Sequence, residues 1–415
     1  MSPGWADAVS QHGPSYVRLS QTNKKREFGQ NHYTLKEFGT IKHRRIERMD
    51  VSGGYRSAKG PLKKIIKHIP NMKAFSLCSG SAGPESLEKV FKENQQLENV
   101  GLFANKTPIK DLLPALNVIV QNLQSLDLDV KATSEQLKCL LDNLPDIESL
   151  RLRGEPAREI WRLENVFDIP ANGPLKPAIY RNLKSLAIVS NKVYGNPLNY
   201  KLSYIDYYFP NLVSLELSIL RVRAGANEGY SEQEVLQHKE AVFMYEATFN
   251  QLKTLKISFL SPSIIVKFPT FFPHLKSLDF KPQTWYASLN SIEAQSIQHL
   301  LKSSTGSNLT SFKTEFPVYC MVEPKDCVFI DHTKKGSRTS EVTRENMISQ
   351  TVMHNLVTLD LSTLVMSPNA LFVFNKFPKL QVLKIALRSL VHIKEIAKAV
   401  RFNELVVLDV RFALK

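Results

Sequence analysis

The side chains that could bind a metal form one loose group, close to residue 325. Cys320, Cys327, Asp331 and His332 lie within 13 residues of one another, and thiolate, carboxylate and imidazole are the usual zinc ligands. Their spacing fits neither the paired-cysteine nor the cysteine-histidine pattern of a structural zinc site. We therefore predict no metal site and interpret the group as part of a loop with partly buried cysteines.

Motifs for catalysis and for nucleotide binding are missing from the sequence. There is no glycine-rich phosphate-binding loop, no paired-histidine metalloprotease motif and no signature of a serine, a histidine and an acid, and the 10 histidines are spread thinly. We therefore predict that the chain is not an enzyme and has no cofactor.

Positive charge is concentrated near the start of the chain. The net charge is +15, and the first 70 residues contain 14 Lys and Arg against 5 Asp and Glu. The basic clusters in this region comprise Lys24, Lys25, Arg26, Lys42, Arg44 and Arg45. Such clusters bind phosphate, an acidic lipid surface or an acidic protein, and the alternative is a solvated polar cap.

A repeated motif in the sequence indicates the strands and helices that must position these residues. "LKSLAI", from Leu183 to Ile188, has aliphatic residues at positions 1, 4 and 6. Allowing Met, Phe, Val or Ile at the leucine positions gives 13 units, whose starts are 23 to 47 residues apart. They start at Ile46, Met72, Leu97, Leu123, Ile147, Leu183, Leu212, Leu252, Leu275, Leu309, Leu356, Leu380 and Leu405.

The spacing within the motif predicts a strand with one buried face. Side chains alternate along a strand, so positions 4 and 6 face the core and positions 3, 5 and 7 face the other side. Several units then have a proline just before the next motif, as in "NLPDI" and "YFPNL", where proline ends a helix. We therefore predict one helix after each strand, and we place Leu186 in the core.

The tandem units resemble leucine-rich repeats, whose period is about 20 to 29 residues. Asparagine occupies the ninth position only at Asn105 and Asn191, so the sequence is most similar to the irregular intracellular repeats of F-box adaptors and ribonuclease-inhibitor-like proteins. The resemblance implies an α/β solenoid, a horseshoe with parallel concave strands and outer helices. It divides the chain into a basic cap over 1–45 and a solenoid of about 13 units over 46–415, with insertions near 154–182, 219–251 and 316–355.

Charged side chains at positions 3, 5 and 7 define the predicted partner-binding face, the concave face of the solenoid. Eight are positive and eight are negative, a balance that favours a protein partner over a nucleic acid. The candidate residues are Asp127, Asp129, Arg151, Arg153, Glu216, Lys256, Asp279, Lys281, Lys313, Asp360 and Lys384. The alternative, for Arg151 and Arg153 beside Asp127 and Asp129, is pairing across neighbouring strands.

The segment from Trp5 to Ser20, "WADAVSQHGPSYVRLS", resembles the end of an F-box, in which a tryptophan-bearing helix leads into the first strand of a repeat domain. Here that strand is expected at Tyr16 to Leu19. The resemblance implies a docking remnant around Trp5 for the adaptor subunit of a cullin ubiquitin ligase, and a hydrophobic cap is the alternative. At the other end the sequence stops on the strand of the last unit, so we expect a partner or further chain to cover it.

Three features of the sequence indicate the cellular location of the protein. It has no apolar run of about 20 residues, no signal peptide at its start, and only 4 scattered cysteines. We predict a cytoplasmic or nuclear protein without a membrane segment. The predicted function is that of an F-box-type substrate receptor, and the alternative is a nucleic-acid or ribonucleoprotein-associated scaffold that uses the basic first 70 residues.

Overall fold

The computed structural model describes the repeat strands and many of the segments that connect them. The described residues are 16–20, 32–33, 46–52, 69, 71–78, 83–103, 109–129, 134–154, 180–190, 205–206, 208–219, 248–260, 265–282, 299–301, 303–314, 320–322, 353–366, 377–387 and 404–412. The chain divides into two compact units. The first comprises residues 1–211 with 219–235, and the second comprises 212–218 with 236–415.

The first unit is built on a parallel sheet of eight described strands, in the order β2-β1-β3-β4-β5-β6-β7-β8. These strands are β1 (Tyr16–Ser20), β2 (His32–Tyr33), β3 (Arg48–Ser52), β4 (Ala74–Cys78), β5 (Asn99–Phe103), β6 (Ser125–Asp129), β7 (Ser149–Gly154) and β8 (Ser185–Ser190). Parallel neighbours require a crossover between consecutive strands, which the repeat supplies.

The second unit carries the remaining described strands, also parallel, in the order β9-β10-β11-β12-β14-β15-β16, with β13 paired to β14. They are β9 (Ser214–Ile219), β10 (Thr254–Leu260), β11 (Ser277–Pro282), β12 (Ser311–Thr314), β13 (Cys320–Val322), β14 (Thr358–Met366), β15 (Val382–Leu387) and β16 (Val407–Phe412).

Helices follow the strands on the core side of the sheet. The first unit has α1 (Pro84–Glu93), α2 (Ile109–Leu116) and α3 (Ser134–Asn143), packed in sequence order, and the second has the short α4 (Phe268–Phe271) and α5 (Ser304–Asn308) among its described residues. Phe91 of α1 meets Phe75 of β4 edge to face, with ring centroids 6.5 Å apart. The buried Asn94 ends α1, since its side-chain amide donates to Val90 O at 3.1 Å.

The core follows the repeat positions. Leu183, Leu186 and Ile188, at positions 1, 4 and 6 of their unit, are all buried, and the same positions are buried in β6 and its unit. Each of the 13 predicted units has its strand, β3 to β12 and β14 to β16. The fold is therefore an α/β leucine-rich-repeat fold, as predicted.

Neighbouring repeats are joined by a backbone ladder ahead of the strands. The carbonyl of Glu98 accepts the N–H groups of Gln124 and Ser125 at 2.8 and 2.9 Å, and the same bifurcated arrangement recurs between successive units. An asparagine just before the motif adds a side-chain bond in several units: Asn122 donates to Gln95 O at 3.0 Å and Asn211 donates to Arg181 O at 2.8 Å. These bonds satisfy backbone carbonyls in the turns ahead of the strands.

Three described strands, β1, β2 and β13, lie outside the 13 units and do not carry the repeat motif. β1 lies where the sequence predicts a strand, beside β3, and β2 extends the sheet on the far side of β1. β13 lies inside the predicted insertion near 316–355. Among the described residues, no helix combines the length and the apolar character that crossing a membrane requires.

Candidate binding surface

The open face of each sheet is the face that carries repeat positions 3, 5 and 7. In the first unit, position 5 forms a row across five strands: Asp50, Ser76, Gly101, Asp127 and Arg151 are in register on β3 to β7. Small residues thus occupy the middle of the row, and charged residues occupy both ends. Such a row makes a depression with charged walls.

This depression is a groove of about 650 Å³ on the open face of β3 to β7. Its floor contains Ala74, Ser76 and Gly101, while Arg48 and Asp50 line one end. Asp127 and Arg153 line the other end, and Phe103, on β5, lies between the two ends. We call this feature the β3–β7 groove.

Gly101 keeps the floor of the groove open. A Cβ atom at this position would lie 3.0 Å from the Phe103 ring and 3.0 Å from Ser76 Oγ, closer than ordinary van der Waals contact. The absence of a side chain therefore lets the Phe103 ring lean across the neighbouring position. Arg153 covers this ring, with its guanidinium carbon 5.1 Å from the ring centroid, in a cation–π contact.

Asp127 and Arg153 form a diagonal ion pair at one wall of the groove. Asp127 Oδ2 accepts a hydrogen bond from Arg153 Nη2 at 2.8 Å, although the register partner of Asp127 on β7 is Arg151. Asp127 Oδ1 is buried and has no hydrogen-bond partner within the described part of the chain. Burial raises the pKa of the Asp127 carboxyl above its ordinary value, and the charge of Arg153 opposes this shift.

The open face of the second unit has a different character, because its charges alternate from strand to strand. The position-5 residues are in register across seven strands, from β9 to β12 and from β14 to β16. They are Glu216, Lys256, Asp279, Lys313, Asp360, Lys384 and Asp409. Each lysine therefore has an acid in register on both sides, and we call this row the charge ladder.

The charges of the ladder pair with one another. Lys256 Nζ lies 2.9 Å from Glu216 Oε1, Lys313 Nζ lies 3.1 Å from Asp279 Oδ2, and Lys384 Nζ lies 3.7 Å from Asp360 Oδ2. The acids lie deeper than the lysines, as in the first pair, where the Glu216 side chain is 13% exposed and that of Lys256 is 38% exposed. The ladder is thus largely neutralised within the sheet, as cross-strand pairs of opposite charge usually are.

The structure brings together many of the predicted partner-binding residues, mainly by pairing them with each other. Asp127 and Arg153 pair in the first unit, Asp129 is in register with Arg153, and the other predicted positions at 216, 256, 279, 313, 360 and 384 belong to the charge ladder. Lys281 lies on β11, in register with Ser258.

Several predicted positions lie outside the described residues: Trp5, Lys24, Lys25, Arg26, Lys42, Arg44, Arg45, Cys327, Asp331 and His332. Cys320 begins β13. Among the described residues, no three His, Cys, Asp or Glu side chains are grouped as a metal site would need.

The prediction did not include Gly101 or Phe103, which give the β3–β7 groove its depth and its aromatic surface. A signal was present in the sequence, because unit 3, "LENVGLF", places glycine at position 5 and phenylalanine at position 7 of the open face. Its meaning depends on Ser76 and Asp127 being the neighbours of Gly101 across the sheet.

Comparison with known proteins gives distant structural similarity and no sequence match. No protein-family model matches the chain, and no curated protein matches it. Solved structures similar to the chain include the Rad7–Elc1 complex from yeast, at 15% identity and a TM-score of 0.48, covering 98% of this chain and 82% of the other. The TLR13–ssRNA13 complex is similar at 15% identity and a TM-score of 0.43, covering 95% of this chain and 57% of the other. At this level of similarity, neither protein's function carries over to this chain.

Proposed function

We propose that the protein is a non-enzymatic binding protein that holds a segment of another protein in the β3–β7 groove. The observation that supports this proposal is the groove itself, a depression of about 650 Å³ whose floor is made of small residues and whose two ends are charged. Binding sites in proteins are commonly concave, with apolar floor area and a few placed polar groups.

The charge balance of the groove favours a protein ligand. Its lining contains two arginines, Arg48 and Arg153, and two acids, Asp50 and Asp127. A surface that binds nucleic acid mainly through phosphates carries an excess of one sign, whereas complementary mixed charge is typical of contacts between proteins.

Within this class, we propose the role of an F-box-type substrate receptor. The groove would hold the target, and the segment from Trp5 to Ser20 would dock on the adaptor subunit of a cullin ubiquitin ligase. The support for this finer proposal is the resemblance of that segment to the end of an F-box, together with the strand at Tyr16–Ser20, which closes the segment and pairs with β3.

The test is quantitative mass spectrometry of proteins that co-purify with the tagged full-length chain from its own cells. Gly101→Trp fills the floor of the groove, and Ser185→Trp is the matched control, since Ser185 occupies position 3 on the same face of β8, one strand beyond the groove. We expect the target proteins to be lost from Gly101→Trp and retained by Ser185→Trp.

The two levels of the proposal fail separately in this experiment. If every co-purifying protein is retained by Gly101→Trp, a binding role for the groove is refuted. If target proteins are lost from Gly101→Trp but the adaptor and cullin subunits are absent from all preparations, the groove function stands and the receptor role is refuted.

A further inference from the structure

We propose that the β3–β7 groove recognises an extended peptide segment in which one apolar residue is flanked on both sides by acidic residues. This inference rests on the proposed binding function and specifies its ligand. It is drawn from the exposure of the charged side chains at the two ends of the groove, from the distance between those ends, and from the surface between them.

The arginines at the ends of the groove are more exposed than the acids beside them. The Arg48 side chain is 58% exposed and that of Asp50 is 13% exposed, while the corresponding values for Arg153 and Asp127 are 37% and 23%. A ligand that enters the groove therefore meets guanidinium groups before carboxylates. Guanidinium binds carboxylate with two parallel hydrogen bonds, so acidic side chains are favoured at both ends.

The separation of the two ends sets the spacing of these acidic residues. Four inter-strand steps separate β3 from β7, and at about 4.8 Å a step they span roughly 19 Å. An extended chain advances about 3.3 Å per residue, so a peptide that crosses the strands covers this distance in about six residues. The two acidic residues are therefore expected about six positions apart.

The surface between the ends accepts an apolar side chain. Ala74 and Gly101 leave room on the floor, and the partly exposed Phe103 ring stands beside them. Ser76 and Asn99 add a hydroxyl and an amide to the lining, groups that hydrogen-bond to peptide backbone. A leucine or phenylalanine between the two acidic residues would bury its side chain against Phe103. It must stand two positions from one acidic residue and four from the other, because only residues an even number of positions apart share a face of an extended chain.

A basic ligand is disfavoured by the same arrangement. Lysine side chains at the two ends would meet Arg48 on one side and Arg153 on the other, and the carboxylates that would attract them lie deeper. At the Arg153 end, Asp127 Oδ2 already accepts a hydrogen bond from Arg153 at 2.8 Å, and Oδ1 of the same acid is buried.

The test uses the purified full-length protein and fluorescent nine-residue peptides with a central Leu, Phe, Val or Met. Each peptide carries Glu, Gln or Lys two positions before and four positions after the centre, so that all three side chains lie on one face of the extended chain. Its affinity is measured by fluorescence anisotropy at low and at moderate salt. We expect the Glu peptides to bind at least about tenfold more tightly than the matched Gln peptides, with the difference shrinking as salt rises.

Variants connect the preference to the groove. Arg48→Ala and Arg153→Gln are each expected to remove most of the advantage of the Glu peptides; glutamine at 153 keeps a hydrogen-bond donor near Asp127, which protects the fold. Lys92→Ala, at the exposed Lys92–Glu88 pair of α1, is the control and should leave all affinities unchanged. Thermal unfolding of each variant verifies that the fold is intact.

The inference is overturned if Gln or Lys peptides bind as well as Glu peptides, if no peptide binds, or if the Glu preference survives both arginine substitutions in folded protein. The proposed function is judged separately by the loss of cellular partners from Gly101→Trp. If that loss occurs without a Glu preference, the groove binds proteins by another chemistry and only the acidic ligand is refuted.

Discussion

Lys384 and Asp360 pair across adjacent strands, with Lys384 Nζ 3.7 Å from Asp360 Oδ2. The other oxygen of the acid, Oδ1, accepts a hydrogen bond from the backbone N–H of Ser362 at 3.1 Å. Asp360 is buried and held by its own strand, while about a third of the Lys384 side chain is exposed. The two members of the pair therefore contribute unequally to stability.

The first prediction compares the two members of this pair. Asp360→Ala leaves the Ser362 N–H without its acceptor in a buried position, which costs about 1–3 kcal/mol. Lys384→Ala removes a partly solvated ammonium and should cost less, about 0–1 kcal/mol. Urea unfolding of both variants measures the two free energies, and an equal or larger loss for Lys384→Ala would contradict this account.

The second prediction concerns the core side of the first unit. Leu186 is 4% exposed, at position 4 of its repeat, so Leu186→Ala removes buried volume and should lower the free energy of unfolding by about 2–5 kcal/mol. Ser185→Ala, next to it on the open face, is the control and should change stability by less than about 0.5 kcal/mol. Urea unfolding that shows no loss for Leu186→Ala would place this residue outside the core.

The fold was predictable because local pattern and tandem repetition point to the same structure. Aliphatic residues at positions 4 and 6 suffice to define a strand with one buried face, and stacking buries what one unit cannot. β2 and β13 were not predicted as strands. They contain only two and three residues, and their pairing depends on a neighbouring strand rather than on an apolar pattern of their own.

The candidate site was less predictable, because it depends on the register between strands that are distant in sequence. Lys313 and Asp360 are 47 residues apart and in register, and only the aligned positions reveal that the charges alternate. The same holds for the β3–β7 groove, where Gly101 matters through its neighbours Ser76 and Asp127. The predicted site was a set of charged side chains, and such a set does not show a depression that forms where side chains are small or absent.

The third prediction concerns the pH dependence that Asp127 confers. Burial raises the pKa of its carboxyl in the folded protein, so the folded state holds this proton more tightly than the unfolded chain does. The contribution of Asp127 to stability must therefore fall as pH rises from the ordinary aspartate pKa through the raised value, and must level off above it.

Asp127→Asn, which cannot titrate, isolates this contribution. The unfolding free energy of the unmodified protein, relative to Asp127→Asn, should decrease with rising pH between about pH 4 and the raised pKa, and should be constant at higher pH. Urea unfolding in steps up to about pH 7 measures the difference. A difference that increases with pH would mean that the attraction of Arg153 outweighs burial.

The fourth prediction separates the proposed protein-binding function from its nucleic-acid rival. The rival depends on the basic clusters of the first 70 residues, so reversing Lys42, Arg44 and Arg45 to Glu would abolish it, and its affinity would fall steeply with salt because phosphate contacts release counterions. A contact made mainly in the β3–β7 groove, where both charge signs are present, depends less on salt.

We therefore expect the charge-reversed protein to retain its cellular partners. We also expect the unmodified protein to show negligible affinity for RNA or DNA in electrophoretic mobility shifts at low salt. Salt-sensitive binding of nucleic acid that disappears on charge reversal, together with loss of the same cellular partners, would instead identify the basic region as the functional surface.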